Sequence, residues 1–240
     1  MLPSDPDVIY AIGDVHGCLG ALLDLERAIV KDSARWPGFK LIVMLGDYVD
    51  RGPESAGVLA HLSKGPPVGF RRVCLCGNHD DLFLRIFQEP SSLHAWLDIG
   101  GSKTLQSYGI DFPQLQQELR NGSVWATDFI RSTVPPEHLH GLARLPVSLT
   151  TPTWFFAHAG ARPGIALERQ TDEDLMWIRR EFLEAPAGSF DRIVVHGHTP
   201  TAVPYYDAFR IGVDTGAFGG GRLTAARLTR DAVSFLHIDA

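Results

Sequence analysis

The chain has 240 residues, 45% hydrophobic and 21% charged, with a formal net charge of -6. That is a globular composition rather than a disordered one, long enough for one substantial core. The acidic balance speaks against a general binder of nucleic acid or of anionic membranes. The N-terminus has no basic segment followed by an apolar one, and no apolar run approaches the ~20 residues a membrane span needs. Cys18, Cys74 and Cys76 are too few and too irregularly placed for a disulfide framework or a zinc knuckle. They read as reduced thiols, and the expected location is cytoplasmic.

In chain order, Val8–Ile12 reads as a buried strand ending in Gly13-Asp14-Val15-His16-Gly17. A helix follows, with Leu19, Leu22, Leu23, Leu25, Ile29 and Val30 mostly at helical spacing. Leu41–Leu45 is a second strand, running into Gly46-Asp47-Tyr48-Val49-Asp50-Arg51-Gly52. Pro53 can open the next helix, which carries Val58, Leu59 and Leu62. Arg71–Leu75 is a third strand, running into Cys76-Gly77-Asn78-His79-Asp80. Three repeats of strand, polar turn and helix predict a parallel α/β arrangement, in which ligands gather at the carboxyl ends of strands.

Residues 81–145 differ, with amphipathic helical patterns around Leu82, Phe83, Ile86 and Phe87 and around Leu93, Trp96 and Leu97. They read as a helical insertion covering one side of the site, within a single domain spanning 1–240. The last third is strand-rich. Thr153–Ala157 leads to His158-Ala159-Gly160, Arg192–Val195 to His196-Gly197-His198-Thr199-Pro200, and Arg210–Val213 to Asp214-Thr215-Gly216. Asp174–Leu183 reads as one helix, and Leu223–Leu228 with Ala232–Ile238 as a closing antiparallel pair. The strands of this half are expected to form a second sheet facing the first.

Asp14, His16, Asp47, Asn78, His158 and His198 all stand at strand ends. They are oxygen and nitrogen donors without a thiolate, a set suited to Mn, Fe, Zn or Mg. Six donors exceed what one catalytic ion with an open position uses. They fit two ions ~3.5–4 Å apart, sharing one carboxylate, for which Asp47 is the choice; such a pair acidifies a shared water and clamps a phosphoryl oxygen. Any one of these residues alone would more simply be a turn or capping group; the repetition after five β-runs points to metal. His79, beside Asn78, reads as the acid that protonates a leaving oxygen, oriented by Asp50. Arg51 reads as a phosphate fork, with Arg162 and Arg179 both open as the second.

Gly-Asp-Val-His-Gly at 13–17, Gly-Asp-Tyr-Val-Asp-Arg-Gly at 46–52 and Gly-Asn-His-Asp at 77–80, in this order, resemble the phosphoprotein phosphatase family of binuclear metallophosphoesterases. The later His-Ala-Gly, Gly-His-Thr-Pro and Asp-Thr-Gly resemble its bacterial and phage branch, and the likeness runs from about residue 8 to about 230. The resemblance implies a β-sandwich of two mixed sheets flanked by helices. It implies Asp14, His16 and Asp47 on one ion, and Asp47, Asn78, His158 and His198 on the other, with manganese the first expectation. His79 would be the general acid, Asp50 its orienting partner and Arg51 a phosphate ligand. The branch's Trp-x-Arg selects Arg179 over Arg162, and its His-Thr-Pro selects His198, leaving His196 a neighbour.

The resemblance implies hydrolysis of phosphoserine or phosphothreonine, with phosphotyrosine a further substrate, by direct attack of a metal-bridging hydroxide. A dinucleoside polyphosphate hydrolase is the nearest alternative, since such enzymes share the Gly-Asp-x-His-Gly-Cys start; they typically carry Ala where this chain has Asp50. A non-catalytic phosphate-binding scaffold is the alternative of another class, and the complete set of motif residues opposes it. The expected partner is a phosphorylated protein or small phosphoester, with no regulatory subunit indicated.

Overall fold

The computed structural model describes residues 1–240 apart from the side chain of Phe112. Its strands are β1 (Val8–Ile12), β2 (Lys40–Met44), β3 (Phe70–Cys74), β4 (Ser148–Thr150), β5 (Trp154–Ala157), β6 (Ile193–His196), β7 (Tyr205–Tyr206), β8 (Arg210–Gly212), β9 (Asp214–Thr215), β10 (Arg222–Leu228) and β11 (Val233–Asp239). β1 is buried along its whole length because both its faces are covered. Val8, Tyr10 and Ile12 pack with helices on one side, while Ile9 and Ala11 pack between two sheets on the other. β2 divides in the same way, Ile42 and Met44 against Leu41 and Val43. This two-sided burial is why the sequence shows continuous apolar runs instead of alternation.

The first sheet has the order β11-β10-β1-β2-β3, with β9 paired to β10; the second has the order β4-β5-β6-β8-β7. β1, β2 and β3 are parallel neighbours, as are β5, β6 and β8. Both sheets are mixed, since β10 and β11 run antiparallel in the first and β4 and β7 in the second. Between the sheets lie Ile9, Val43, Leu45, Trp154, Phe156, Val195 and Ile211. On the outer face of the second sheet, Phe155 and Val194 meet Leu175, Ile178 and Phe182 from short helices. The architecture is thus two mixed sheets face to face, flanked by helices, as expected.

Two expectations need correction. The closing pair β10–β11 belongs to the first sheet, not to the second: β10 hydrogen-bonds the free edge of β1, from Ile9 opposite Leu228 to Ile12 opposite Ala225. A strand buried on both faces must also pair both edges, because an unpaired buried backbone group is costly. The helix expected over Asp174–Leu183 is two pieces, Asp172–Trp177 and Arg180–Leu183, broken at Ile178 and Arg179. At Ile178 the backbone leaves the helical region with ψ of 141° while the side chain stays buried in the outer core.

Helix Leu19–Asp32 buries Leu22, Leu25 and Ile29 and turns Val30 to solvent. The insertion folds as short helices, among them Asn78–Arg85, Leu93–Trp96, Ser102–Ser107, Ser123–Thr133 and Pro136–Leu142. Their Phe83, Ile86, Leu93, Trp96, Leu105 and Ile130 join the same apolar cluster as Val15, Tyr48 and Val49. The insertion therefore packs directly on the loops that follow β1 and β2. Among the described residues no helix is long and apolar enough to cross a membrane.

Candidate metal centre and active site

The loops after β1, β2, β3, β5 and β6 bring Asp14, His16, Asp47, Asp50, Asn78, His79, His158 and His198 together as buried residues. Among the described residues, those other than glycine with positive φ are His16, Asp47, Asp50, Arg51 and His198, all members of the expected site. Each such backbone costs about 1–3 kcal/mol and persists only where surrounding contacts over-determine it. Those contacts are visible. The Val15 and His16 N–H groups donate to the Asp47 carbonyl at 3.1 and 2.8 Å. Asp80 accepts from the N–H groups of Asp47 at 2.8 Å, Tyr48 at 3.0 Å and Gly77 at 3.0 Å, tying the second loop to the third. At Gly46, φ is 108° and a Cβ would sit 2.6 Å from the Gly77 nitrogen, so only glycine fits between these loops.

Two groups of donors converge, His16 with Asp47 and His79, and Asp47 with His158 and His198. Asp47 is common to both, the position expected of a bridge. Its Oδ2 lies 3.3 Å from His16 Nε2 and 3.4 Å from His158 Nε2. His158 Nε2 also lies 2.9 Å from Asn78 Oδ1 and 3.1 Å from His198 Nδ1. Asp14 faces the second group through the His198 N–H, which donates to its carboxylate at 3.1 and 3.2 Å. His79 stands in the first group where the resemblance implied Asp14.

The tautomers follow from the partners. His16 Nδ1 lies 2.8 Å from the Val49 carbonyl and His158 Nδ1 2.9 Å from the Leu45 carbonyl. A carbonyl only accepts, so each Nδ1 carries a proton and each ring turns its Nε2 toward the site. Nε2 of His16 and Nε2 of His198 are buried without any hydrogen-bond partner. Burial pushes His16 down to about 3 against the pull of Asp47, and burial with the charge of His158 pushes His198 down to about 2. Burial lowers His158 too, but Asp47 outweighs it and holds the ring up at about 9. Burial would raise Asp47; His158 and His79 overcome it and keep the carboxylate well below its usual range. Asp14 is pushed well above its usual range by burial and by Asp214. Unpartnered neutral imidazoles around an ionised carboxylate are the protonation state a divalent cation requires, so these residues fit metal ions.

His79 Nδ1 lies 2.8 Å from Asp50 Oδ2. The same oxygen accepts from Trp96 Nε1 at 3.0 Å, and Asp50 Oδ1 accepts from Thr104 Oγ1 at 2.6 Å. With Nδ1 engaged, His79 presents Nε2 to the donor group. The His79 N–H donates to Asp47 Oδ1 at 3.0 Å, so the acid candidate also anchors the shared carboxylate through its backbone.

The Arg51 guanidinium lies 4.6 Å from the centre of the Phe218 ring, whose edge also meets His16 at 5.2 Å between centroids. Arg179 Nη1 donates to the His198 carbonyl at 3.1 Å and to Thr199 Oγ1 at 3.2 Å, which places this side chain at the second donor group. Arg162 is occupied elsewhere, forking onto the Asp174 carboxylate through Nε at 3.0 Å and Nη2 at 2.6 Å. Arg179 stands at the break between the two short helices. His196 packs against Phe182, with centroids 4.9 Å apart, and its Nδ1 lies 3.0 Å from the Gly197 carbonyl. It is a packing group of the second sheet.

Sequence reasoning missed five contributors. Asp80 lay inside a recognised motif but was given no role. Trp96, Thr104 and Phe218 come from the insertion and from the turn after β9, where no strand-end signature marks them. Asp214 was noted as a motif residue only; it sits buried beside Asp14, with its Oδ1 accepting the Gly216 N–H at 3.0 Å.

Comparison with known proteins gives one family match, to the calcineurin-like phosphoesterases, over residues 8–219. The chain is 30% identical over 230 residues to serine/threonine-protein phosphatase 1 of Salmonella typhimurium, covering 92% of this chain and 91% of that one. It is 27% identical over 246 residues to the asymmetrical bis(5'-nucleosyl)-tetraphosphatase PrpE of Oceanobacillus iheyensis, covering 91% and 88%. A crystal structure with a provisional diadenosine tetraphosphatase assignment superposes with a TM-score of 0.68 at 22% identity, over 98% of this chain and 96% of its own.

Proposed function

This chain belongs to the calcineurin-like phosphoesterases, and on that premise we propose that it is a divalent-metal-dependent phosphomonoesterase acting on phosphoserine and phosphothreonine in proteins. Its family makes it a hydrolase of phosphate esters, and its His and Asp groups are able to bind metal ions. The finer reading is carried by one observation, the Asp50–His79 hydrogen bond of 2.8 Å beside the shared Asp47. The alkoxide of serine or threonine is a strongly basic leaving group, so its departure needs a proton delivered in the transition state. A nucleoside polyphosphate leaves as a far weaker base and gains much less from an oriented acid. The match to a serine/threonine phosphatase supports the same reading, while the match to PrpE keeps the dinucleotide in the test.

Asp14, His16, Asp47, Asn78, His158 and His198 would hold the ions, manganese first among the candidates. Bound there, two divalent ions would supply Lewis acidity to the phosphoryl oxygens and lower the pKa of a shared water. Arg51 and Arg179 bind the remaining oxygens, on which negative charge gathers as the ester bond to phosphorus breaks. Asp50 holds the proton of His79 on Nδ1 and fixes the orientation of the ring. His79 Nε2 then delivers a proton to the departing serine or threonine oxygen, while water supplies the oxygen that phosphorus gains. The buried loops keep bulk water from screening these charges.

The test is kcat/KM measured side by side on a phosphoserine peptide, a phosphothreonine peptide and diadenosine tetraphosphate, each with Mn, Mg and Zn. The peptides should lead by at least ~10-fold, a threshold set below the ~10²–10⁴-fold that an oriented general acid contributes. A lead for diadenosine tetraphosphate of that size overturns the phosphoprotein reading and installs the dinucleotide one.

A further inference from the structure

The segment from Trp96 to Thr104 belongs to the insertion, yet it touches both Asp50 and Arg51. Its helices are interrupted at Gly100, where φ is 122°. The interruption directs three groups at the loop after β2. Trp96 Nε1 donates to Asp50 Oδ2 at 3.0 Å, while its ring stacks on Phe83 with centroids 4.9 Å apart and planes 16° from parallel. Thr104 Oγ1 donates to Asp50 Oδ1 at 2.6 Å and accepts the Asp50 N–H at 2.8 Å. The Gly100 carbonyl accepts the Arg51 N–H at 3.3 Å.

One threonine hydroxyl thus closes a ring with the backbone and the carboxylate of a single residue. Asp50 enters that ring with a positive φ of 71°. Trp96, Thr104 and Asp50 are fully buried, so no water competes for these bonds. With two donors besides His79 taken up, the carboxylate has no freedom to rotate away from the imidazole. At Gly100 a Cβ would lie 2.9 Å from Arg51 Cγ and 3.0 Å from Arg51 N, on a backbone that L residues rarely adopt. The backbone of Arg51 is therefore seated against glycine by contact, while Phe218 holds the guanidinium from the other side.

We infer that Trp96, Gly100 and Thr104 are positioning residues for the reaction, Trp96 and Thr104 aiming the acid through Asp50 and Gly100 seating the phosphate-binding Arg51. This rests on the acid-assisted reading above. It makes the insertion part of the reaction machinery, with two separable outputs: proton delivery to the leaving oxygen and phosphate binding.

The experiment uses the full chain loaded with Mn and the variants Thr104→Val, Thr104→Ser, Trp96→Phe and Gly100→Ala. Each is measured on a phosphoserine peptide and on p-nitrophenyl phosphate, whose leaving group needs little protonation. Thr104→Val and Trp96→Phe should lose ~10-fold or more in kcat on the peptide, with a several-fold smaller loss on p-nitrophenyl phosphate. Thr104→Ser, which restores the hydroxyl, should recover the peptide rate. Gly100→Ala should raise KM and the inhibition constant of inorganic phosphate on both substrates alike. For Thr104→Val and Trp96→Phe, equal losses on the two substrates, or none, overturn the aiming of the acid, and an unchanged KM and phosphate inhibition constant in Gly100→Ala overturn the seating of Arg51. A variant that fails to fold leaves the decision to the others, since Trp96→Phe keeps the stacked ring and Thr104→Ser keeps the hydroxyl. Should the unaltered chain hydrolyse neither substrate, the proposed activity falls by itself. The downfield proton resonance of His79 Nδ1–H, recorded on the chain loaded with diamagnetic Zn, then decides the inference: it should shift in Thr104→Val and return in Thr104→Ser, and an unmoved resonance overturns it.

Discussion

The carboxylate of Asp47 lies 3.4 Å from His158 Nε2, across the space between the loops that follow β2 and β5. These loops come from different sheets, so the contact joins the two halves of the sandwich at their shared edge. Asp47 lies 3.3 Å from His16 in the same way, and no other carboxylate is common to both donor groups among the described residues. Replacing Asp47 with Ala should therefore empty more than one position. By elemental analysis after dialysis, the unaltered chain should retain about two divalent ions, as a shared-carboxylate pair requires, and Asp47→Ala fewer than one. Full retention by the variant would remove Asp47 from the bridging place.

The two arginines that sequence alone left open should separate cleanly. Arg179→Ala should raise the KM for a phosphomonoester and the inhibition constant of inorganic phosphate ~10-fold or more, the scale of a lost charged hydrogen bond. Arg162→Ala should leave both close to their original values, because that guanidinium is committed to Asp174. Steady-state kinetics with phosphate as the competitor checks both, and the opposite ranking would return Arg162 to the site.

Asp32 offers a stability test remote from the site. Its carboxylate accepts from Tyr10 Oη at 2.6 Å and Arg227 Nη1 at 2.8 Å, and also pairs with Arg35. Burial raises its pKa, but Tyr10, Arg227 and Arg35 together lower it below the usual carboxylate value. A depressed folded-state pKa means stability that is present above the unfolded value of about 3.9 and lost as pH falls through the folded one. Asp32→Asn should cost about 1.5–3 kcal/mol in urea unfolding at pH 7, the range for hydrogen bonds to a charged group. The gap between variant and unaltered chain should narrow in unfolding curves taken below the usual carboxylate range. A gap that stays constant with pH would mean the charge of Asp32 does not contribute.

The strand-end residues were legible because each lies just past an apolar run and within two residues of a glycine. That placement is set by sheet geometry, in which parallel strands deliver their carboxyl ends to one edge. The expected site residues from Asp14 to His198 are accordingly close together. What sequence could not supply was contact across long separations. Thr104 meets Asp50 over 54 residues and Trp96 meets it over 46, and no local periodicity marks either. The same holds for β10, whose apolar residues announce a strand without saying that its partner is β1 at the far end of the chain. The break at Ile178 was hidden because the apolar spacing of Leu175, Ile178 and Phe182 is helical even where the backbone is not.

The central claim is that His79 supplies the proton while Asp47 and its neighbours hold the ions. Its geometry leaves a direct alternative, since His79 shares a donor group with His16 and Asp47. His79→Asn separates the two roles, because the backbone N–H that anchors Asp47 Oδ1 at 3.0 Å survives the substitution. The decisive measurement is turnover of a phosphoserine peptide together with bound metal per chain in this one variant. The account predicts a fall in kcat of ~10²-fold or more with the metal content unchanged. Unchanged turnover, or a loss of metal that accounts for the loss of rate, would contradict it.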